Sequence, residues 1–379
     1  MSWRLSRFRT GDYVQVKSVE EVLATLDEQG CIDGMPFMPE MLQYCGQQFR
    51  VDSVAHKTCE TAKQTAQGRR LDTTVHVDRL HCDGSAHGGC QAHCKLFWKD
   101  EWLKSPDEPD KTAADRPLSR GAAKCDEQKL FTLTQVSAFG EHAQPRYSCQ
   151  ATRLYDATAP LKWWDPRQYV LDVATGNHSV ADVVRALFLA TLKNWLRRTP
   201  RGYRVIKFIR ETIHRWLVGG EVPDVQGRIP LGQSTPTGSL NLKRGELVRV
   251  KSKEEILDTI REDGRNRGLS FDPEMVPYCG SLARVRASVT NIIDEGTGEM
   301  IKMKAPCIIL DGVVCGALYS SCRLMCPREL PPFWRELWLD RVSDPLSVHE
   351  SAGPSRDDHV RWGLASQAAR RDAETMSPV

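Results

Sequence analysis

The sequence predicts a mainly β protein with an α-helical insertion, in which two small tandem β-barrels arise from an internal duplication and are linked by a helical hairpin. Three observations predict this architecture. A segment that begins at Gly11 recurs from Gly245 with a constant offset of 234 residues. Each copy contains short alternating segments that are typical of half-buried strands. Between the copies, apolar residues recur at helical spacing.

The duplication is visible residue by residue. Gly11-Asp-Tyr-Val-Gln-Val-Lys matches Gly245-Glu-Leu-Val-Arg-Val-Lys, and Pro39-Glu-Met falls on Pro273-Glu-Met without a gap. The offset shifts by one or two residues in the cysteine-rich part and recovers across a four-residue insertion before Trp334. A repeat of this kind indicates two copies of one structural unit.

Each copy has the same predicted order of elements. In the first copy, Gly11 to Val16 alternates like a strand, and Ser18 with the acidic pair that follows it begins a short capped helix. The glycines at 30 and 34 then break the chain. Further predicted strands are residues 48–54 and 73–80 of the first copy and residues 282–293 and 300–310 of the second, and a turn at 294–298 joins the last two as a hairpin.

The composition is that of a soluble globular protein. The 379 residues are 40% hydrophobic and 27% charged, and the net charge of +3 is too small to indicate nucleic acid by itself. No apolar run approaches the length of about 18 to 20 residues that crosses a bilayer, and the basic N-terminus lacks the apolar core of a signal peptide. We therefore expect a cytoplasmic protein, in which the thirteen cysteines are metal ligands or reactive thiols rather than disulfides.

Two sets of four cysteines recur in the same order in the two copies. Each set begins with Tyr-Cys-Gly and ends before a Phe-Trp pair and a Trp-Leu pair. We predict one metal centre in each copy, although buried structural thiols are the alternative. The predicted ligands are Cys45, Cys82, Cys90 and Cys94 in the first copy and Cys279, Cys315, Cys322 and Cys326 in the second.

The choice of metal rests on spacing. Thiolates suit zinc or iron–sulfur clusters and not calcium or magnesium. Neither copy has the paired Cys-x2-Cys knuckles of a zinc ribbon, and the longer spacings with glycine nearby favour two iron–sulfur clusters, with zinc as the alternative. The stretch from Cys82 to His87 is similar to the CDGSH iron–sulfur motif, but it has an extra Ala86 and lacks the upstream Cys-x-Cys pair.

Several other residues are candidate ligands. Histidines in the first copy have no counterpart in the second, so the first centre is the candidate for mixed ligation and reactivity. Cys307 is an alternative to Cys322 as a ligand of the second centre. Glu40 and Glu274 precede the Tyr-Cys-Gly turns at equivalent points, where a carboxylate at a helix start is the ordinary interpretation and a role near the metal is the alternative. The possible additional ligands are Cys59, His87, His93, Cys149 and Cys307.

The insertion between the copies is basic. From Ser179 to Leu217 the sequence has nine Lys or Arg residues and two acids, with a break at residues 199–202 between two predicted helices. A basic amphipathic helix pair binds an acidic partner protein or an anionic membrane surface, or it packs between the barrels with its basic face solvated.

The order of strand, helix and Cys-Gly turn before a hairpin resembles an SH3-like barrel of the nitrile hydratase β-subunit and ferredoxin–thioredoxin reductase type. The whole chain also resembles an uncharacterised family of bacterial proteins with duplicated cysteine motifs, most closely at Cys82–Cys90, Trp163–Tyr169 and Pro306–Cys315. Neither resemblance implies a catalytic residue. The predicted divisions are 1–104 for the first repeat, 105–160 for a linker or extension, 161–235 for the helical insertion and its linker, 236–342 for the second repeat and 343–379 for a disordered tail.

The sequence leaves the function open among three classes. The leading hypothesis is a metal-binding protein whose iron–sulfur clusters serve electron transfer or a redox step of a biosynthetic pathway. The second is a zinc-stabilised module that binds a partner protein, and the third, less favoured, is a nucleic-acid-binding tandem barrel. No Gly-x-Ser-x-Gly, P-loop or His-Glu-x-x-His motif is present, so the sequence does not decide whether the protein is an enzyme.

Overall fold

The fold is mainly β, with several antiparallel sheets. The chain divides into two compact units. The first unit comprises Met1–Val183, Thr290–Met303 and Ser320–Leu330, and the second comprises the remaining segments, Val184–Val289, Lys304–Tyr319 and Pro331–Val379. The computed structural model describes residues 3–62, 68–107, 125–136, 145–198, 212, 223, 225–319 and 324–342.

The elements follow the predicted order in both copies. The described strands are β1 (Tyr13–Val16), β2 (Cys31–Ile32), β3 (Met35–Pro36), β4 (Gln48–Val54), β5 (Lys57–Cys59), β6 (Gly68–Arg70), β7 (Thr74–His81), β8 (Lys95–Lys99), β9 (Leu103–Lys104), β10 (Gln135–Val136), β11 (Arg146–Tyr147), β12 (Ala159–Leu161), β13 (Leu247–Val250), β14 (Arg265–Asn266), β15 (Leu269–Ser270), β16 (Leu282–Ile293), β17 (Met300–Leu310), β18 (Trp334–Arg335) and β19 (Leu339–Arg341). The described helices are α1 (Val19–Leu23), α2 (Glu127–Leu133), α3 (Gln150–Arg153), α4 (Pro166–Ala174), α5 (Val180–Arg198) and α6 (Lys253–Leu257).

The two copies form five-stranded sheets of the same topology. The first sheet has the order β8-β7-β4-β1-β9, and the second has the order β18-β17-β16-β13-β19. In the first, Tyr13 lies opposite Arg50, and in the second Leu247 lies opposite Arg284, so both pairs keep the offset of 234 residues. The sequence repeat therefore corresponds to a repeat of strand order and register.

The short helix of each copy begins with the same cap. The side-chain oxygen of Ser18 accepts a hydrogen bond from the backbone N–H of Glu21, whose carboxylate accepts one from the backbone N–H of Ser18. Ser252 and Glu255 form the same reciprocal pair at α6. This capping box satisfies two backbone donors that a helix start otherwise leaves open, and it confirms the predicted capped helix.

Each copy has its own aromatic core. In the first, Phe37 packs edge-on against Trp98 and Trp102, with ring centroids 6.2 and 5.1 Å apart. Phe271 packs in the same way against Trp334 and Trp338 in the second, at 6.4 and 5.6 Å. All four tryptophans are completely buried. The tryptophans of the recurring Phe-Trp and Trp-Leu pairs are thus core residues in both copies, whereas Phe97 is buried and Phe333 is partly exposed.

The first unit contains elements beyond its five-stranded sheet. Strands β12, β6 and β5 form a three-stranded sheet in that order. The end of β16, from Thr290, belongs to this unit and packs on its cysteine-rich loop, residues 82–94. The Gln91 side-chain oxygen accepts hydrogen bonds from the backbone N–H groups of Thr290 and Asn291, at 2.7 and 3.2 Å, and the Gln91 backbone N–H donates to the Asn291 carbonyl. These contacts fix the loop that carries five of the candidate ligands, namely Cys82, His87, Cys90, His93 and Cys94.

The first predicted helix of the basic insertion is confirmed as α5. The second, from Tyr203 to Val218, lies outside the described residues apart from one position, as do most of the 105–123 linker and the tail from residue 343. None of the helices in the described ranges is both long enough and apolar enough to cross a membrane.

Candidate metal centre

Three potential ligands of different chemistry meet in the first unit. The Cys82 Sγ lies 3.3 Å from His87 Nε2 and 3.4 Å from Glu40 Oε1, and the Glu40 oxygen lies 3.6 Å from His87 Nδ1. Within the described ranges this is the one group of three or more His, Cys, Asp or Glu residues whose ligand atoms all lie within 4.8 Å of one another. We call Glu40, Cys82 and His87 the mixed triad.

Each member of the mixed triad is placed by a defined local structure. Glu40 is the second residue of a 3-10 helix, Pro39–Tyr44, that begins with proline, a residue suited to a first helical turn. Cys82 follows the last residue of β7, and its backbone N–H donates to the Cys94 carbonyl at 2.8 Å. The strand end and the helix start therefore bring a thiol and a carboxylate to the same point.

His87 comes from a tight glycine-rich turn. Its backbone N–H donates to the Gly84 carbonyl at 3.1 Å. Gly84 has a φ of +74°, and a Cβ at this position would lie 2.0 Å from the Cys90 carbonyl oxygen, so only glycine fits. A Cβ on Gly88 would lie 2.5 Å from the Tyr147 ring. The Asp-Gly-Ser-Ala-His-Gly-Gly sequence is therefore needed to fold the imidazole back over Cys82.

Burial determines the protonation of the triad. The side chains of Glu40 and His87 are each 1% exposed. Burial lowers the pKa of His87 to about 4, so the ring is neutral at pH 7. Burial also raises the pKa of Glu40, and burial together with the Glu40 charge raises the pKa of the Cys82 thiol. A neutral imidazole is ready to bind a metal ion, whereas the thiol must lose its proton on binding.

Two polar atoms of the triad lack hydrogen bonds. Among the described residues, neither the second Glu40 oxygen, Oε2, nor His87 Nδ1 has a hydrogen-bond partner. Buried polar atoms are almost always paired, because leaving one unpaired costs about 1–3 kcal/mol. The atoms without partners are Oε2 and Nδ1, whereas Oε1 and Nε2 face the Cys82 thiol, so each of these two side chains has polar capacity that Cys82 does not use.

Two of the separations within the triad are close to those of a tetrahedral zinc site. With Zn–S of about 2.3 Å and Zn–N or Zn–O of about 2.0–2.2 Å, the ligand atoms of a tetrahedral site lie about 3.4–3.6 Å apart. The Cys82–His87 and Cys82–Glu40 separations, 3.3 and 3.4 Å, are close to these values. The third separation, 3.6 Å, is from Glu40 to Nδ1, the ring nitrogen that does not face Cys82, and a zinc ion binds one of the two nitrogens.

The second copy uses the equivalent carboxylate differently. The Glu274 oxygens accept hydrogen bonds from the backbone N–H groups of Tyr319 and Leu318, at 2.7 and 3.1 Å. Tyr278 in turn donates its hydroxyl proton to the Val314 carbonyl at 2.8 Å. The segment after Cys315 thus closes on the carboxylate with its backbone, and the two copies differ in chemistry although their sheets agree.

Of the other predicted ligands of the first copy, some lie near Cys82 and one does not. Cys94 and Cys149 lie near Cys82, since their charges contribute to raising the pKa of the Cys82 thiol. Cys90 in turn lies near Cys149, whose pKa its charge helps to raise. Burial raises the pKa of Cys94 to about 12 and that of Cys149 to about 11. Cys45, in contrast, follows the 3-10 helix with Glu127 as its charged neighbour. The structure does not bring it to the triad.

The remaining cysteines lie elsewhere. Cys59 and Cys326 contact each other in the first unit, and Cys307 in the second unit lies 3.4 Å from an Arg335 nitrogen. Cys279 packs against the second aromatic core, Cys315 is partly exposed, and Cys322 lies outside the described residues. His93 is a partly exposed residue with a left-handed φ of 51°.

Glu40 is the triad member that is absent from the predicted ligand set. Its sequence signal is a single charge within the apolar run Phe37-Met-Pro-Glu-Met, which carries a buried face. A charge in such a run is buried only when it has a partner.

Comparisons of the chain with protein-family models, curated proteins and solved structures found no match.

Proposed function

We propose that this protein binds one zinc ion per chain in the first copy, through Glu40, Cys82 and His87. The observation that supports the proposal is the triad itself: the Cys82 sulfur lies 3.3 and 3.4 Å from a histidine nitrogen and a carboxylate oxygen, and Glu40 and His87 each carry a buried atom without a hydrogen-bond partner among the described residues. The second copy is a structural partner without this centre, because Glu274 is bound by backbone N–H groups.

The donor set favours zinc over other ions. One thiolate, one imidazole and one carboxylate suit a borderline ion, whereas calcium and magnesium prefer oxygen ligands. An iron–sulfur cluster with four cysteine ligands in each copy stays a prediction. A mixed triad with two non-sulfur ligands supports zinc more directly than it supports such a cluster.

The proposed centre has an open coordination position. Within the described part of the chain, no fourth His, Cys, Asp or Glu ligand atom lies within 4.8 Å of all three members of the triad. Structural zinc sites have four protein ligands, whereas sites with three keep a position for water or substrate. Bound zinc acidifies such a water or polarises a carbonyl group. Partly exposed Cys82 is the side of the triad that solvent reaches.

The test is metal content in matched variants of the full chain. We expect one zinc per chain in the wild type and none in Cys82→Ser or His87→Gln, because each variant removes a ligand. Cys315→Ser is the matched control, since Cys315 occupies the equivalent sequence position in the second copy and should leave the zinc in place. Loss of metal in Cys315→Ser alone, or iron with labile sulfide in the wild type, would overturn the proposal.

A further inference from the structure

A second thiol arrangement lies in the first unit, apart from the mixed triad. Cys59 is the last residue of β5, and Cys326 comes from the segment of the second copy that belongs to this unit. The backbone N–H of Cys59 donates to the Cys326 Sγ at 3.2 Å, across 267 residues of sequence. The two thiols are also hydrogen-bonded to each other. Neither forms a disulfide in the structure.

The contact is close enough for a covalent bond. Because the N–Cα bond is about 1.46 Å long, the Cys326 sulfur lies no more than about 4.7 Å from the Cα of Cys59. In a disulfide, each sulfur lies at a comparable distance from the Cα of the other residue. We expect rotation of the two side chains to bring the sulfurs together.

Two buried cations flank the pair. Lys57 precedes Cys59 by two residues on β5, and its charge interacts with Cys326. The Arg328 side chain is 1% exposed, interacts with Cys59 and pairs with Glu295 at 2.7 Å. Its Nε has no hydrogen-bond partner among the described residues. Arg328 lowers the pKa of Cys59, but the hydrogen bond with Cys326 and burial outweigh it and raise that pKa well above its usual value, so Cys59 keeps its proton until the second step.

We propose that Cys59 and Cys326 form a reversible dithiol–disulfide site that a peroxide oxidises. Cys326 is partly exposed and Cys59 is buried, so Cys326 is the thiol that meets the oxidant. Its thiolate attacks a peroxide oxygen, the O–O bond breaks, water leaves and a sulfenic acid remains. The Cys59 thiol then gives its proton to the leaving hydroxide as its sulfur attacks the Cys326 sulfur, the S–O bond breaks, the disulfide forms and a second water leaves. Two thiols lose two electrons in total, and the peroxide gains them.

This site is independent of the proposed zinc centre. Neither cysteine belongs to the group of ligand atoms formed by Glu40, Cys82 and His87. Oxidation would tie strand β5 of the first copy covalently to the 324–330 segment of the second. The chain would then hold that segment in place in an oxidising environment and release it when thiols are restored.

The experiment is a peptide map of the full-length protein. The folded protein is treated with hydrogen peroxide, free thiols are blocked with N-ethylmaleimide, and trypsin digests the chain without reductant. Trypsin places Cys59 in peptide 58–63 and Cys326 in peptide 324–328, each with a single cysteine. We expect these two peptides linked by a disulfide, with a mass lower by two hydrogen atoms than their sum. Dithiothreitol should separate them.

Two variants complete the test. Cys326→Ser should abolish the linked peptide, whereas Cys307→Ser, which removes a buried thiol of the second unit, should leave its yield unchanged. The wild-type map alone decides the proposal if a variant fails to fold. The proposal is overturned if both peptides stay alkylated after peroxide treatment, or if Cys59 is linked to another cysteine. Zinc content does not enter this readout.

Discussion

The contrast between Glu40 and Glu274 gives the sharpest prediction. The two residues occupy equivalent positions in the duplicated sequence, and both are buried at the start of a 3-10 helix. Replacement of either by glutamine keeps the shape of the side chain and removes its charge. We expect Glu40→Gln to lose zinc affinity and to keep the stability of the metal-free protein. We expect Glu274→Gln to keep zinc affinity and to lose stability.

The expected magnitudes follow from the contacts. Glu274 accepts two hydrogen bonds from backbone N–H groups, and bonds to a charged acceptor each contribute about 1.5–3 kcal/mol. A glutamine turns an NH2 group towards one of those donors, so we expect a loss of at least about 2 kcal/mol in the free energy of unfolding.

For Glu40 the expected effect is on binding. Mutation of groups that merely orient a metal ligand weakens binding by about 10–100-fold, so loss of a ligand should weaken it by at least about 100-fold. Without metal, burial raises the pKa of Glu40, which shows that its charge is unfavourable in this position. A neutral amide should therefore leave the metal-free fold as stable as before or more so.

The assays are competition with a zinc chelator of known affinity and urea unfolding of the metal-free proteins, both at neutral pH. Equal zinc affinity in Glu40→Gln and wild type would refute the assignment of this carboxylate as a ligand. A Glu274→Gln protein that keeps its stability but loses zinc would show that the second copy holds the metal.

The structure makes two further predictions about stability. Lys57 and Asp172 form a buried ion pair at 2.6 Å, so Lys57→Met should lower the free energy of unfolding by about 3–5 kcal/mol. Adding Asp172→Leu to the same chain should restore most of the loss, because no buried charge is then left without its partner. Urea unfolding that shows no recovery in the double variant would contradict this. Burial, with the charge of Lys95, lowers the pKa of His76 to about 3. The unfolded chain therefore binds a proton that the folded chain does not, so this contribution to stability is complete above about pH 6.5 and declines as the pH falls towards 3. We expect a shallower decline in His76→Asn, measured by urea unfolding between pH 6.5 and 4, and a parallel decline in both proteins would contradict the assignment.

The sequence predicted most of what depends on local patterns and on the repeat. The strands at 48–54, 282–293 and 300–310 have the predicted limits, and the capping box at Ser18 is present. These features follow from alternation, a cap signature and turn residues, which act over a few residues. The repeat extended the same prediction to the second copy.

The centre was harder to predict, because its geometry depends on where turns point. Spacing placed Cys45 with Cys82, but the chain after the 3-10 helix carries Cys45 towards Glu127. Glu40 looked like a helix-start carboxylate, since burial is not visible in a sequence. The contact between Cys59 and Cys326 joins the two copies across 267 residues, and no local pattern reports such a distance.

The most direct test of the mixed triad is X-ray absorption at the zinc edge of the zinc-loaded protein. The account predicts one sulfur neighbour at about 2.3 Å and the remaining neighbours, nitrogen and oxygen, at about 2.0–2.2 Å. A shell of four sulfurs would contradict it, because that shell would return the metal to the all-cysteine sets and remove Glu40 and His87 from the centre.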